Sequence, residues 1–374
     1  MKDAAVGGYR RARRGLSVLG IVACLLGTVA GGALAEGYDG AAKKIGGDEY
    51  EYGYSTYARE YKGDLYQYAT GKDGTAYYTT YDGKERSDWQ GWDDQPVKYQ
   101  YDPAPCTYND TTYVAYTGED GYIYSNWYDG DEWRGWAKVG DDEYTFASAP
   151  YAYASGDYSY LYATGEDGYV YYNQYDGEAW SGWVKVSGES KAKYEPYAVT
   201  YGEYENVFWY GEDSKVYWNR YDGEEWTGVK ALPDTYKFQY APYATEYDGT
   251  LWVYSSTEDG YPAWNSFDGE GWGEWGTYED ITVKYQPSAY VYEDKVHVAY
   301  TGDDNHGYYA EYDGSWSEWY DLGGNYDYDP FIYEYDGSSY LTYTGEDGYA
   351  YTKAYAGGDD EGDDYPEPTA TSGY

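Results

Sequence analysis

The chain has 374 residues, with 25 basic and 68 acidic side chains and a formal net charge of −43 at pH 7. A field of that sign repels nucleic acid, anionic membranes and polyanionic glycans, so proteins that bind those surfaces through charge are excluded. Neutral glycans, cations and basic proteins remain as partners, and divalent cations are expected to bind only diffusely. The 63 tyrosines replace much of the usual valine and isoleucine, which suits β-strands.

The first 35 residues have the pattern of a secretory signal peptide. Four arginines between positions 10 and 14 precede an apolar run over 16–34, which ends in the small-x-small sequence Ala33-Leu34-Ala35. This pattern predicts cleavage before Glu36 and a secreted, extracellular protein. Two alternatives stay open, because paired arginines also suit twin-arginine export and the apolar run is nearly long enough for an uncleaved membrane anchor. Cleavage would leave Cys106 as the only cysteine, so we expect a buried thiol and no intrachain disulfide.

One unit is repeated along the rest of the chain. Its clearest copy, residues 165–183, contains a Gly-Glu-Asp-Gly turn, an alternating run and an aromatic–Asp–Gly hairpin. The hairpin aromatic recurs at Tyr81, Tyr128, Tyr175, Tyr221, Phe267, Tyr312 and, in a degenerate copy, Tyr355. The copies are 43 to 47 residues apart. Prolines open six of the seven units, at Pro105, Pro150, Pro196, Pro242, Pro287 and Pro330.

A period in the mid-forties with four short strands is typical of a propeller blade. The sequence therefore predicts an all-β fold, a seven-bladed β-propeller over residues 36–357 with four antiparallel strands per blade. In the third unit we expect strands near 149–154, 158–164, 169–175 and 179–186. The seventh unit lacks its last strand, whereas residues 38–47 resemble the end of a unit, so we expect the N-terminal segment to close the ring and leave no open sheet edge. Residues 358–374 have the composition of an acidic disordered tail.

Motifs for catalysis and cofactors are missing from the sequence. The two histidines, His297 and His306, lie in no nucleophile or metal motif, and we find no phosphate loop or dinucleotide fingerprint. We therefore expect a protein that is not an enzyme and that needs no cofactor. The aspartates of the repeated turn could supply oxygen ligands to calcium. Asp and Gly also build turns without any metal, and we favour that explanation and predict no specific metal site.

Tryptophans and asparagines give the clearest pattern for binding. A Trp-x-x-Trp motif follows most hairpins, at Trp89 and Trp92, Trp133 and Trp136, Trp180 and Trp183, Trp272 and Trp275, and Trp316 and Trp319, while the fourth unit keeps only Trp226. We expect one tryptophan of each pair to pack between blades and the other to line a cleft, where a sugar could stack. Four units also carry an asparagine on the strand before the hairpin, and the predicted carbohydrate-binding residues are Trp133, Asn126, Trp180, Asn173, Trp226, Asn219, Trp272 and Asn265.

The pattern GxDGxxYxxxxDGxxWSGW, with its proline-led first strand, resembles the bacterial seven-bladed fucose-binding lectins, the PLL-like propellers. The resemblance covers about residues 37–356 and implies sugar pockets between adjacent blades, biased to fucose or methylated sugars. The chain departs from that family where members often carry a His-Arg pair, since it has Tyr172-Asn173 and Trp218-Asn219 there.

Two hypotheses about function follow. The first is a secreted, multivalent lectin-like protein that gains avidity from several weak sites for neutral sugars. The second is a non-catalytic acidic protein of the cell surface or matrix, in which the tyrosines and acids are structural and no sugar binds. The sequence leaves the oligomeric state open.

Overall fold

Each repeat folds into one four-stranded antiparallel sheet, and seven such sheets surround a central axis as the blades of a propeller. The computed structural model describes residues 37, 38, 40–141 and 143–356. The predicted signal peptide and tail lie outside these residues. The described ranges contain strands and turns but no helix, and therefore no helical membrane span. The prediction of an all-β, seven-bladed propeller is confirmed.

The strands are numbered along the chain, and each of the first six blades uses four consecutive ones. Blade 1 contains β2 (Tyr57–Tyr61), β3 (Asp64–Thr70), β4 (Ala76–Tyr81) and β5 (Gln90–Gly91). Blade 2 contains β6 (Tyr99–Tyr108), β7 (Thr111–Gly118), β8 (Ile123–Tyr128) and β9 (Ala137–Lys138). Blade 3 contains β10 (Tyr151–Ser155), β11 (Tyr158–Thr164), β12 (Val170–Tyr175) and β13 (Val184–Lys185). The strands expected in this third unit are therefore all present, the last one shorter than predicted.

The remaining blades repeat the same order. Blade 4 contains β14 (Tyr197–Tyr201), β15 (Tyr204–Tyr210), β16 (Val216–Tyr221) and β17 (Lys230–Ala231). Blade 5 contains β18 (Tyr243–Tyr247), β19 (Thr250–Ser256), β20 (Pro262–Phe267) and β21 (Gly276–Thr277). Blade 6 contains β22 (Val283–Tyr292), β23 (Lys295–Gly302), β24 (Gly307–Tyr312) and β25 (Tyr320–Gly323). Blade 7 contains β26 (Phe331–Tyr335), β27 (Ser338–Thr344) and β28 (Ala350–Ala354), with β1 (Lys43–Lys44) as its fourth strand.

The two ends of the described chain meet in blade 7. Strand β1 pairs antiparallel with β28, so that Lys43 lies opposite Thr352. Beyond this short pair, Gly37 and Ala356 exchange two backbone hydrogen bonds of 3.2 and 3.0 Å. This edge of β28 therefore has a partner in the structure, and the importance of the seam for stability is a prediction taken up in the Discussion.

The first strand of every blade faces the axis. Each first strand contacts the first strands of both neighbouring blades, all the way round the ring. Together they enclose a central cavity of about 720 Å³. The structure also corrects one prediction here: the proline that opens blade 2 is Pro103. Pro105 pairs with Val114 inside the strand ladder, in the place that Ala152 takes opposite Leu161 in blade 3.

Neighbouring blades are joined by a repeated hydrogen bond that we call the tyrosine latch. A tyrosine at the end of a first strand donates its hydroxyl to a backbone carbonyl in the first turn of the next blade. The six latches run from Tyr61 to Asp110, Tyr108 to Asp157, Tyr201 to Gly249, Tyr247 to Asp294, Tyr292 to Gly337 and Tyr335 to Gly63. In blade 3 this place is taken by Ser155, and the nearby Tyr153 hydroxyl contacts the Thr200 side chain instead.

Candidate functional site

The first tryptophan after each hairpin lies between two blades. Its backbone forms an antiparallel β-bridge with the hairpin aromatic of its own blade, as Trp133 does with Tyr128. In four blades it also packs against an aromatic ring on the third strand of the preceding blade, edge-on for Trp226 and Trp272 and tilted for Trp133 and Trp316. The ring centroids of these pairs are 5.1 to 5.4 Å apart: Trp133 with Tyr78, Trp226 with Tyr172, Trp272 with Trp218 and Trp316 with Trp264. At these four interfaces the predicted cleft is occupied by a second protein ring.

Blade 1 departs from this pattern and corrects the sequence-based alignment. Tyr81 bridges Arg86, in the way that Tyr128 bridges Trp133. Arg86 therefore occupies the place of the first tryptophan, and Trp89 occupies the place of the second. The indole N–H of Trp89 donates to the Ile45 carbonyl at 2.8 Å, just after the fourth strand of blade 7. Trp183 and Trp275 make the same bond to their preceding blades, so the second tryptophan is a packing residue in these three blades.

The four predicted asparagines lie beneath the Trp-x-x-Trp loop. Asn126, Asn173, Asn219 and Asn265 have side chains that are at most 3% exposed. The Oδ1 atom of Asn173 accepts the backbone N–H groups of Gln174, at 2.9 Å, and Gly182, at 3.0 Å. Asn126 and Asn219 accept the equivalent pairs of N–H groups, and Asn265 accepts the N–H of Ser266. These amides hold the loop in shape, and none of them faces solvent.

The interface between blades 2 and 3 differs from the four aromatic interfaces. The residue of blade 2 that faces Trp180 is Ser125, which pairs with Ala115 as Tyr172 pairs with Tyr162 in blade 3. Trp180 has one ring partner among the described residues, Tyr175 of its own hairpin, at a centroid distance of 5.1 Å. A small cavity of about 10 Å³ lies here, lined by Ala104, Cys106, Tyr113, Ala115, Ser125, Ala152, Ser159, Leu161, Tyr175 and Trp180. One face of Trp180 is thus left without a second ring.

The turn aspartates are engaged by protein donors. Asp167 accepts the backbone N–H of Tyr169 at 3.1 Å and the hydroxyl of Tyr171 at 2.7 Å. The same tyrosine-to-aspartate bond recurs at Asp73, Asp120, Asp213, Asp304 and Asp347. Such bonds are what turn-building aspartates make. Across the described ranges, no group of three or more His, Cys, Asp or Glu is arranged to hold a metal ion.

The two histidines have different surroundings. His306 is partly exposed, and its Nδ1 lies 3.0 Å from the Asp321 carboxylate, which raises the pKa of the imidazole. His297 is fully buried at the interface of blades 6 and 7, where burial lowers its pKa. Its neighbour Glu311 accepts the hydroxyl of Tyr355 and the ammonium of Lys295, at 2.7 and 2.9 Å.

Comparisons with solved structures find distant matches that span most of this chain. BBS1N, in its complex with ARL6DN, matches with a TM-score of 0.57 and 12% identity, over 86% of this chain and 97% of that chain. The fucose-recognising lectin of Aleuria aurantia, a six-bladed propeller, matches with a TM-score of 0.47 and 14% identity, over 73% and 98%. The intramolecular trans-sialidase from Ruminococcus gnavus matches with a TM-score of 0.47 and 15% identity, over 83% and 96%. Neither a family model nor a curated protein sequence matches this chain.

These matches correct one expectation. The sequence led us to expect that the chain is not an enzyme, because it contains no familiar catalytic motif. The matched propellers include a trans-sialidase as well as a lectin. The expectation that the chain is not an enzyme is therefore withdrawn, since a fold does not by itself decide function.

Proposed function

We propose that this chain binds neutral sugars between blades, with the interface of blades 2 and 3 as its principal site. The observation that carries the proposal is the face of Trp180 opposite Ser125, where no second ring packs among the described residues. The apolar C–H face of a sugar stacks on such a ring, and its hydroxyl groups need polar partners at the edge. Three residues that carry hydroxyl groups, Tyr113, Tyr175 and Ser125, line the same pocket, and the Tyr175 hydroxyl already donates to the Gly177 carbonyl at 2.9 Å.

The size of this cavity decides where the sugar lies. A volume of about 10 Å³ is enough for about one water molecule. A sugar ring in this proposal therefore lies at the outer rim, against the half-buried side chains of Trp180, Tyr113 and Tyr175. A stacked aromatic contact contributes about 1 kcal/mol beyond burial, and each neutral hydrogen bond contributes about as much. Affinity at a single site would be weak.

The other predicted sites have a secondary place in the proposal. Trp133, Trp226 and Trp272 already pack on protein rings, so a sugar can reach only their outer edges. Asn126, Asn173, Asn219 and Asn265 act as positioning residues, because they shape the loop that presents each tryptophan. A neutral sugar with an apolar face, such as a fucose-type sugar, suits the uncharged residues that line the cavity beside Trp180. In this proposal the protein is exported, with residues 1–35 as its signal peptide.

A glycan array of the full-length chain, with and without calcium, tests whether sugars bind at all. The monovalent form of any sugar that binds is then titrated into Trp180→Ala and into Trp272→Ala as the matched control. We expect Trp180→Ala to lose most of the affinity and Trp272→Ala to keep it while unfolding more easily. An array without any sugar signal, or equal binding by both variants, would overturn the proposal.

A structural role is the second candidate, and the four aromatic interfaces favour it. There the position that a sugar would occupy holds a protein ring. A negative array, with variants that change only stability, would support an acidic surface or matrix protein whose rings bind its blades to each other.

A further inference from the structure

A ring of tyrosines surrounds one end of the central axis. Six blades carry a tyrosine two residues before the proline position, and we call these residues the tyrosine collar: Tyr54, Tyr101, Tyr194, Tyr240, Tyr285 and Tyr328. Adjacent rings contact each other in five pairs with centroids 6.1 to 6.3 Å apart. Ser148 takes the seventh position, between Tyr101 and Tyr194. All six tyrosines are half-buried, so each ring keeps some surface accessible.

The collar is held in place from below. A threonine or serine on the second strand of the preceding blade donates its hydroxyl to the carbonyl of the collar residue. For Tyr101, Tyr194 and Tyr328 the donors are Thr70, Thr164 and Thr301, at 2.7, 2.6 and 2.6 Å. Tyr54 and Tyr285 are held by Thr344 and Ser256, at 2.8 and 3.2 Å.

Two collar residues have a strained backbone. Tyr101 and Tyr285 both adopt a φ of 67°, in the left-handed region that non-glycine residues rarely occupy. Each lies within an irregularity of its first strand. Such strain persists only where the surrounding structure fixes it, and it is found preferentially at functional sites. The collar is therefore a preorganised aromatic surface.

Three carboxyl groups follow collar residues directly, and two of them, Asp102 and Glu195, line the cavity. Asp102, Glu195 and Asp329, which we call the carboxyl triad, come from blades 2, 4 and 7. Backbone N–H groups of Ser55 and Gln286 bind Asp102 and Asp329, at 2.7 and 3.0 Å. Burial raises the pKa of all three, and Asp102 and Asp329 are raised further by repulsion from the other triad members. No lysine or arginine forms an ion pair with the triad among the described residues.

Below the triad, more aromatic rings line the cavity wall. Tyr197 contacts Tyr151 and Tyr243 on its two sides, with centroids 4.3 and 4.0 Å apart, and Tyr57 contacts Phe331 at 4.6 Å. A space of about 720 Å³ lies in the usual range for small-molecule sites. Aromatic rings attract cations through their electron-rich faces, and quaternary ammonium groups are typically bound in cages of such rings.

We propose that the tyrosine collar and the carboxyl triad form a binding site for a small organic ammonium ion at the end of the central cavity. The carboxylates supply the negative charge. The rings supply an apolar, electron-rich wall, which an organic ammonium ion needs and a metal ion does not. The arrangement of the acids agrees with this class of ligand, because no metal-binding group is found in the described ranges. The net charge of −43 also raises the local concentration of cations.

Binding should be coupled to proton release, since the ammonium ion favours ionised carboxyls. The titratable groups that face the triad are Tyr57, Tyr101, Tyr240, Tyr285 and Tyr328. The charged side chains of Arg59, Glu60 and Glu334 line the same cavity. These tyrosines stay protonated at neutral pH because burial raises the pKa of each. The triad is therefore the group that titrates on binding, and affinity should rise with pH from about 5 to about 8.

Calorimetric titration of the full-length chain with tetramethylammonium chloride tests the proposal. Ionic strength is held constant, and tert-butanol serves as the neutral probe of similar shape. We expect saturable binding of one tetramethylammonium ion, none of tert-butanol, and proton release seen as a difference between two buffers. Glu195→Gln and Tyr240→Leu should each weaken binding by about tenfold. Asp329→Asn replaces Glu195→Gln if that variant fails to fold.

The matched controls are Glu178→Gln and Tyr158→Leu. Glu178 is exposed in the blade 3 hairpin, and Tyr158 is 37% exposed on β11; both controls should bind like the parent chain. Unsaturable heats that sodium chloride reproduces would mean diffuse screening and overturn the proposal. It would also fail if tert-butanol bound equally, if the control variants weakened binding as much as Glu195→Gln, or if calcium chloride displaced the probe stoichiometrically.

Discussion

At the scale of single residues, the same side-chain type serves different purposes according to what faces it. Trp272 meets Trp218 of the preceding blade, whereas Trp180 meets Ser125, and this one difference leaves a face of Trp180 without a second ring. The asparagines show the reverse. They share a sequence position that suggested ligand contacts, yet each lies under its loop and accepts backbone N–H groups.

Replacing Asn173 with alanine should therefore lower stability whether or not a sugar binds. The change removes the Asn173 acceptor from the N–H groups of Gln174 and Gly182, and Gln174 keeps only the Ser181 hydroxyl at 3.3 Å. A buried donor that loses its acceptor costs about 1–3 kcal/mol. Urea unfolding measures the loss, and Gln174→Ala on the same strand is the control, with less than about 0.5 kcal/mol expected. Equal unfolding of Asn173→Ala and the parent chain would show that the loop does not depend on this amide.

The carboxyl triad should make the free energy of unfolding fall as pH rises from about 4 to about 7. Burial, then repulsion from Glu195, raises the pKa of Asp102 to about 7, against about 3.9 in an unfolded chain. The folded state thus holds protons that the unfolded state releases, and its advantage, present below pH 4, is lost as pH rises through 7. Buried His297, whose pKa is lowered, has the opposite effect below about pH 6.5, where it makes the free energy of unfolding rise with pH. It is one group, whereas the triad contributes three.

The aspartates of the hairpins determine how the free energy of unfolding changes at low pH. Backbone N–H groups and Arg134 hold the pKa of Asp129 to about 2, so its contribution is present above about pH 4 and lost as pH falls through 2. Urea unfolding at constant ionic strength should give a maximum near pH 4 to 5, and Asp102→Asn should flatten the fall toward neutrality. A parent chain that becomes more stable from pH 5 to pH 7 would contradict this account.

At the scale of elements, the seam in blade 7 connects residues that are far apart in sequence. Strand β1 is only two residues long, yet the segment around it also supplies Ile45, which accepts the Trp89 indole, and Tyr38. The fully buried Tyr38 packs on Tyr309 of blade 6 and on Tyr355, at centroid distances of 5.1 and 5.4 Å. It fills the interface position that a tryptophan fills in other blades.

Deleting residues 36–46 should destabilise the whole ring, because it removes a fully buried tyrosine and exposes an edge of β28. Loss of one large buried aromatic side chain costs about 3–5 kcal/mol. The control is deletion of residues 358–374, which we expect to leave the melting temperature unchanged. A full-length chain and a 36–46 deletion with the same melting temperature would show that the seam is not needed for closure.

The repeat made most of the fold predictable, whereas the details of the site depended on contacts between blades. Spacing of the Asp-Gly hairpins was enough to predict seven blades of four strands. Spacing alone misaligned the first unit. Trp89 and Trp92 have the spacing of the Trp-x-x-Trp motif, but Arg86 occupies the position of its first tryptophan. The sequence also gave no signal that Ser125 would face Trp180, since the two residues lie in different repeats and meet only through the packing of neighbouring sheets.

At the scale of the whole molecule, charge opposes the compact ring. The acidic side chains that give the net charge of −43 repel one another. Salt shortens the range of this repulsion, since the Debye length falls from about 30 Å at 0.01 M to about 3 Å at 1 M. We expect the melting temperature to rise by several degrees over that range, and calcium chloride to act at lower concentration without a tight site. A melting temperature that does not change with salt would mean that the acids are too dispersed to matter.

The tyrosine latches all run in the same direction around the ring, from the donor on one blade to the acceptor on the next. Each of the six latched interfaces is therefore head-to-tail, and interfaces of this kind are satisfied throughout only when the ring closes. A partial set of blades would carry an unused hydroxyl at one end and an unused carbonyl at the other. Two fragments, cut between blades 4 and 5, should therefore have matching ends and reassemble with each other, while either fragment alone should add to its own copies and grow into open chains.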